Sequence, residues 1–164
     1  MLLHLIAFGF ITVGGQVVTP GTGTVDVPAD MTAVAKPGTS SGVGTGMPPT
    51  AFALARPLDP SDTAKYAFDF EPTIGDANIA SLDRVQMSAL GASLGLIIES
   101  TNGRQPIIDT AGKKIGFWVS IDSTFEFNSA FATAQKMGIS FQITTDESPS
   151  QTFERTCVLT VVNQ

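Results

Sequence analysis

The sequence is poor in the residues from which catalytic and metal centres are usually built. It contains one cysteine, Cys157, and one histidine, His4. A single cysteine cannot form a disulfide within the chain. A single histidine does not provide the several imidazole ligands of the usual metal site. It also leaves no second histidine as an alternative base for a serine–histidine–aspartate relay. We therefore expect a protein with no catalytic centre, no bound metal and no cofactor.

Positive charge is also scarce. Nine Lys and Arg residues against 15 Asp and Glu give a net charge of -6 and a pI near 4.5. Binding to nucleic acid needs clustered cations that displace counterions from phosphates, so this composition argues against a nucleic-acid partner. Charged residues make up only 15% of the chain, which also has 16 glycines and 10 prolines. This balance is typical of a turn-rich β protein rather than a disordered tail or a coiled coil.

The longest apolar run stands at the start of the chain. At about a dozen residues it is short of the roughly 20 that a membrane-spanning helix needs, so we expect no membrane span. A signal peptide would have a basic first part and a small-residue cleavage site, and neither is present. A buried strand, covered by another subunit, is the preferred interpretation. The predicted interface residues are Leu2, Leu3, Leu5, Ile6, Phe8, Phe10, Ile11 and Val13.

Charge and composition divide the chain near Ala55. The only charged residues before position 56 are Asp26, Asp30 and Lys36. Residues 38–49 are rich in Gly, Ser, Thr and Pro, as in a flexible linker or an extended arm laid over a neighbour. Their Gly-x-Gly-x-Gly pattern is not a phosphate loop, because no Lys-Ser/Thr pair follows and two prolines block the helix start. We predict an N-terminal arm and linker over 1–54 and a β-sandwich domain over 55–164.

After Ala55 the apolar residues mostly alternate with polar ones, which is typical of half-buried strands. The predicted strands are Tyr66–Phe70, Ile79–Met87, Leu94–Ser100, Pro106–Ile108, Lys114–Ile121, Ile139–Ile143 and Phe153–Val162, the last two forming a hairpin. A short helix is predicted over Asn128–Gly138, from an N-cap residue, an Ala-rich body and a final glycine. This pattern predicts an all-β protein, an Ig-like β-sandwich preceded by an apolar, Gly/Pro-rich N-terminal arm.

Three side chains are predicted to hold the sandwich together, namely Asp69, Trp118 and Arg155. Arg155 lies on an alternating strand, and we expect it to pair with Asp69 or Asp146 and so fix the strand order. Trp118 lies in an apolar strand. We expect it to fill the core between two sheets rather than to offer a stacking platform for a sugar.

Several short motifs follow one another after Ala55. They are Arg-x-x-Asp-Pro at 56–60, Tyr-x-x-Asp-Phe at 66–70, Ile-Gly-Asp-x-x-Ile at 74–79, Gly-Leu-x-Ile at 95–98, Phe-Trp-Val-Ser at 117–120, Ile-Thr-Thr-Asp at 143–146 and Glu-Arg-Thr at 154–156. In this order they resemble the fibre–tail adaptor proteins of tailed bacteriophages, a family of small β-sandwiches, over about residues 55–163. The chain departs from the family in its longer segment from Ile121 to Met137 and in its N-terminal third.

The resemblance implies a structural component of a tailed-phage virion, assembled in the cytoplasm of the bacterial host. The first expectation is an adaptor that joins the tail to fibre or nozzle components. It would form a symmetric homo-oligomer whose partners are other virion proteins, namely tail, fibre or capsid subunits. Two alternatives stay open, a capsid-decorating (cement) protein that stabilises the head and a free carbohydrate-binding module. A module of that kind would need exposed aromatic side chains, which we expect this chain to lack.

Enzyme and calcium interpretations are weaker. The carboxylates of Asp109, Asp122, Glu126 and Asp146 include candidates for a glycosidase pair. With one Tyr and one Trp, however, the chain offers little surface for a sugar cleft. Calcium at Asp59 and Asp62, or at Asp76 with Asn78, lacks the ligand count of a loop motif. We therefore expect a protein that is not an enzyme.

Overall fold

The computed structural model describes residues 15–16, 19–37, 51–101 and 103–164, which build two mixed β-sheets. The strands are β1 (Gly15–Gln16), β2 (Gly21–Gly23), β3 (Thr32–Val34), β4 (Ala51–Ala53), β5 (Ala64–Asp69), β6 (Ile79–Met87), β7 (Leu96–Ile98), β8 (Ile107–Asp109), β9 (Lys114–Ile121), β10 (Gln135–Thr145) and β11 (Thr152–Val161). Short helices connect them, namely α1 (Glu71–Ile74), α2 (Ala89–Ser93) and the 3₁₀ helices Ala29–Met31 and Ser129–Ala132.

The strands are divided between two sheets. Sheet A has the order β1-β6-β10-β11-β4. Sheet B has the order β2-β8-β9-β5-β3, and β7 also pairs with β9. Most neighbours are antiparallel, but β4 on β11, β2 on β8 and β3 on β5 are parallel. In each parallel pair, one strand (β4, β2 or β3) lies at a sheet edge and comes from the part of the chain before residue 55.

The core lies between the two sheets and is built from alternate strand residues. Phe117 on β9 and Phe68 on β5 point inward from sheet B, and Phe141 on β10 points inward from sheet A; all three are fully buried. The Phe117 and Phe141 ring centroids are 4.8 Å apart, and those of Phe68 and Phe141 are 5.8 Å apart. These aromatic contacts join the sheets. The prediction of an all-β, sandwich-like fold is confirmed, while the Ig-like assignment stays a prediction.

Each of the seven strands predicted after residue 55 overlaps a strand of the structure. Strands β6 and β9 have the predicted bounds, and β10 and β11 form the predicted hairpin. The helix predicted over Asn128–Gly138 is wrong beyond its first turn. Asn128 does cap the 3₁₀ helix, its Oδ1 accepting the Ala130 N–H at 2.9 Å, but β10 begins at Gln135. Met137 is fully buried on this strand, and its packing outweighs the helical propensity of the Ala-rich stretch.

The described residues before position 55 belong to the same sandwich. Strands β2 and β3 flank sheet B, β4 flanks sheet A, and Ala33 and Ala35 are buried in the common core. The boundary between residues 54 and 55 is predicted from the low charge before it. The described residues of that low-charge part nevertheless form strands that pack with the rest of the fold. The remainder of the predicted arm, including the interface residues from Leu2 to Val13, lies outside the described residues. Within the described ranges, no helix has both the length and the apolar character to cross a membrane.

Candidate functional site

Part of the outer face of sheet A is polar, and the side chains there bond to one another. Arg84 on β6 forms an ion pair with Glu154 on β11, with Nη2 and Oε2 2.8 Å apart. The two reach across Gln142 of β10, which pairs with both of them. The hydroxyls of Ser140 and Thr156 are 2.7 Å apart. Because these groups satisfy one another and present little apolar area, this region has few of the features of an interface core.

The outer face of sheet B is partly covered by the chain itself. Residues 24–28, Thr-Val-Asp-Val-Pro, connect β2 at one edge of the sheet to β3 at the other, and we call them the strap. Val25 and Val27 are half-buried while Asp26 between them is exposed, as in an extended segment with one face on a surface. A Cβ added to Gly116 of β9 would lie 3.1 Å from Val25 Cγ2. The strap therefore lies directly on the middle strand of the sheet.

Trp118 lies two residues after Gly116 on β9 and so points to the same outer face. Its side chain is half-buried and is not part of the core cluster. The prediction that Trp118 fills the core is therefore wrong. Phe117 and Val119 occupy the inward positions, both fully buried, and the alternation of the strand turns Trp118 outward between them.

Neighbouring strands place polar and apolar side chains beside Trp118. Lys65 on β5 is its cross-strand partner. On the other side, the Glu99 N–H donates to the Trp118 carbonyl oxygen at 2.9 Å. The Ser120 hydroxyl donates to Glu99 Oε1 at 2.8 Å, and Ile97 is the cross-strand partner of Ser120. These side chains continue the outer face beyond the strap.

The loop between β7 and β8 adds a cation to this surface. Both strands pair with β9, one after the other, and the loop between them leaves the sheet. In that loop the Arg104 N–H donates to the Thr101 carbonyl oxygen at 3.0 Å, next to Gly103 at φ +75. The turn brings the Arg104 guanidinium carbon to 5.3 Å from the centroid of the Trp118 ring, a cation–π distance. We call Lys65, Ile97, Glu99, Arg104 and Trp118 the Trp118 patch.

The ion pair predicted for Arg155 is wrong. Asp69 lies on sheet B, where its Oδ2 is 3.6 Å from Lys114 Nζ. Arg155 lies on sheet A, where its Nη1 donates to the Glu154 carbonyl oxygen at 2.9 Å. Asp146, the other predicted partner, accepts hydrogen bonds from Asn78 instead. Each residue is therefore held by groups close to it in its own sheet or at the adjoining turns.

Arg155 has a different structural setting. It is the cross-strand partner of the buried Phe141 and therefore points inward, with its guanidinium carbon 5.7 Å from the Phe153 ring. Its Nε is buried and has no hydrogen-bond partner among the described residues. The described strand β4 pairs only with Thr156–Val158, beyond this position. An inward charge on an edge segment opposes pairing with another chain.

Asn78 and Asp146 connect strand ends on sheet A. The Asn78 N–H donates to Asp146 Oδ1 at 2.8 Å, and Asn78 Nδ2 donates to Oδ2 at 2.9 Å. These two hydrogen bonds hold the pKa of Asp146 below its usual value, and the bond from the Asn78 backbone N–H has the larger effect. Gly112, in the turn between β8 and β9, packs on Asn78 at φ +68, and a Cβ there would lie 2.6 Å from Asn78 Cβ. The network therefore fixes the loops at this end.

A shallow cavity of about 300 Å³ lies beside this network. Its lining residues are Thr22, Asn78, Ile79, Ala80, Ile108, Asp109, Thr110, Ala111 and Gly112. Asp109 Oδ1 accepts the backbone N–H groups of Lys113 and Lys114 at 2.7 and 2.8 Å, which stabilises the turn. In the part of the chain that the structure describes, no three His, Cys, Asp or Glu side chains are grouped as metal ligands. The cavity borders a structural turn and has no aromatic side chain in its lining.

The strap and Arg104 are the features that sequence reasoning missed. The strap has a readable signal, since Val25 and Val27 alternate with polar residues over the length of a short strand. Arg104 has none, because its place depends on a loop that folds over β9. Comparison with protein-family models, curated proteins and solved structures found no match to this chain. What the chain can bind therefore follows from the chemistry of its surface.

Proposed function

We propose that the chain is a non-enzymatic structural component of a tailed-phage virion, an adaptor that joins the tail to fibre or nozzle components. The resemblance of its ordered motifs supports this role, and so does the two-sheet fold. Several motif residues act within the scaffold: Tyr66 and Phe117 are buried in the core, and Asp146 binds Asn78 at a turn. Such a distribution suits a rigid connecting module.

The observation that carries the proposal is the Trp118 patch. It combines a half-buried indole, an isoleucine and cations on the outer face of sheet B, beyond the position where the strap lies on Gly116. Tryptophan and arginine are enriched among the residues that dominate binding at protein interfaces. The outer face of sheet A instead carries an internal ion pair and a hydroxyl pair. An adaptor built on this fold would contact a neighbouring virion protein through the Trp118 patch.

Copy number in purified virions tests the proposal against the cement alternative. An adaptor that follows tail symmetry should be present at roughly 6 to 12 copies, whereas a capsid-decorating protein should be present at hundreds. Gel densitometry against a capsid protein of known copy number gives the value. A count in the hundreds would favour the capsid-decorating protein, and absence from purified virions would overturn both roles.

The position of Trp118 also favours a second candidate function, a carbohydrate-binding module. A half-buried aromatic ring on the outer sheet face, beside Glu99 and Lys65, offers both an apolar surface and hydrogen-bonding groups for a sugar. Arg104 lies over this ring, and a sugar would have to share or displace that contact. Binding of a neutral oligosaccharide by the isolated protein, lost in Trp118→Ala, would support this second function over the first.

A further inference from the structure

Arg104 is a cation that forms no ion pair among the described residues. Of the nine basic residues, three have a carboxylate partner, in the pairs Arg56–Asp30, Arg84–Glu154 and Lys114–Asp69. Among the described residues no carboxylate oxygen lies within 4.0 Å of Arg104. The chain is acidic overall, with 15 Asp and Glu, so the absence of an acidic partner is not explained by their scarcity.

The guanidinium is held by the indole rather than by a counter-ion. Its carbon lies 5.3 Å from the Trp118 ring centroid, and the turn at Thr101 sets the course of the backbone. A guanidinium that stacks on a ring keeps the N–H groups along its edge free for a planar acceptor. Because the side chain is already placed, binding such an acceptor orders fewer rotamers than it would for a free arginine.

The surroundings indicate which acceptor fits. Lys65, the cross-strand partner of Trp118, adds a second positive charge, and Ile97 and the indole edge add apolar area. Glu99 shares the same face and bonds to Ser120, so a doubly charged phosphate would meet more repulsion than a singly charged carboxylate. A neutral sugar would have to compete with Arg104 for the ring.

We propose that the Trp118 patch binds an acidic peptide segment of a partner protein, with a carboxylate accepting two hydrogen bonds from Arg104 and Lys65 supplying a second cation. Arginine–carboxylate pairs of this bidentate kind are among the stronger hydrogen bonds in proteins. This inference rests on the proposed adaptor role. One such contact on a monomer is weak, and repeated copies in a symmetric assembly would strengthen it through avidity.

The indole is also the reporter for the test, because Trp118 is the chain's only tryptophan. The full chain is titrated with a blocked hexaglutamate peptide, with inorganic phosphate and with neutral maltohexaose, and Trp118 emission is followed. We expect hexaglutamate to change the emission saturably at millimolar concentration, and Arg104→Gln to weaken that binding about tenfold or more. Arg104→Lys keeps the charge without the planar fork and should give an intermediate affinity.

Arg84→Gln is the matched control, since it removes the same charge from the outer face of the other sheet. Its affinity for hexaglutamate should equal that of the unchanged protein, and thermal melting should show that every variant is folded. Equal weakening in Arg84→Gln and Arg104→Gln, no response to hexaglutamate, or a response to maltohexaose or phosphate alone would overturn the inference. Hexaglutamate binding by a protein absent from virions would overturn the adaptor role, and with it a virion protein as the partner, but not the binding of an acidic peptide at the Trp118 patch.

Discussion

At the scale of single residues, Phe117 and Trp118 are consecutive on β9 and point to opposite faces of sheet B. Phe117 is fully buried and packs on Phe141 of the facing sheet, whereas Trp118 is half-buried under Arg104. The two rings therefore serve different purposes. Phe117 contributes to the free energy of folding, and Trp118 is the central side chain of the proposed binding surface.

Alanine substitutions at these two positions should separate folding from binding. Phe117→Ala should lower the free energy of unfolding by about 3 to 5 kcal/mol, the usual cost of removing a buried aromatic ring. Trp118→Ala should lower it by about 1 kcal/mol, because only part of its ring leaves water on folding. Urea unfolding followed by circular dichroism measures both. A loss at Trp118 equal to that at Phe117 would show that the indole supports the core after all.

The pKa of Asp146 gives a pH-dependent prediction. Two hydrogen bonds from Asn78 lower this pKa in the folded protein, so their stabilisation is present above the unfolded value of 3.8 and is lost as the pH falls through the native pKa. Asn78→Ala removes the side-chain bond and should raise the pKa of Asp146 towards 3.8. Carboxyl titration by NMR measures this change. Asp59, which is held by Ser61 and Gln164, serves as the internal control, and an equal shift there would point to a global effect.

The sequence of β9 shows why its limits were predictable and its faces were not. Lysine at one end and Asp122 after the other bracket the strand, so the bounds at Lys114 and Ile121 are confirmed. Within it, Phe117, Trp118 and Val119 are all apolar. Because apolar and polar residues do not alternate here, the sequence does not indicate which side chain points inward. The answer depends on Phe141 from the facing sheet, a contact that the local sequence does not contain.

At the scale of elements, the strap depends on a single small residue of the strand that it crosses. Val25 lies so close to Gly116 that a Cβ would meet both of its methyl groups, at 3.1 and 3.2 Å. A glycine within a strand that another segment approaches closely is a recognised pattern. The alternation of Val25 and Val27 predicts a strand-like segment, but only the fold shows what it covers. Strands β2 and β3 are three residues each and pair in parallel, so local patterning reveals neither their partners nor their register.

Gly116→Val should displace the strap without dismantling the sandwich. The added methyl groups would overlap Val25, and overpacking of this kind typically costs about 1 to 3 kcal/mol. Relative to the unchanged protein, hydrogen exchange should then become faster across residues 21–34, and by more than it does in β10. Gly23→Ala is the matched control, because its nearest atom, Ile107 Cδ1, lies 3.9 Å from the added Cβ. Unchanged exchange in Gly116→Val would show that Val25 can move aside at little cost.

At the scale of the whole molecule, two surfaces are candidates for attachment to other subunits in the proposed virion role. One is the Trp118 patch, which the structure places on the outer face of sheet B. The other is the apolar run from Leu2 to Val13, which lies outside the described residues and whose burial against another subunit stays a prediction. An uncharged run of this length would favour aggregation if it were exposed, so the sequence predicts that another chain or a sheet edge covers it.

Deleting Met1 to Val13 distinguishes these two surfaces. The aromatic core formed by Phe68, Phe117 and Phe141 lies wholly within the part that remains, so the truncated protein should still melt cooperatively. If burial of the apolar run drives attachment, the truncated protein should be missing from purified particles, while full-length Arg104→Gln should be reduced but present. Gel densitometry measures both. The opposite result is truncated protein at normal stoichiometry together with loss of Arg104→Gln from particles. It would place the attachment at the Trp118 patch, because that surface would then be sufficient without the apolar run.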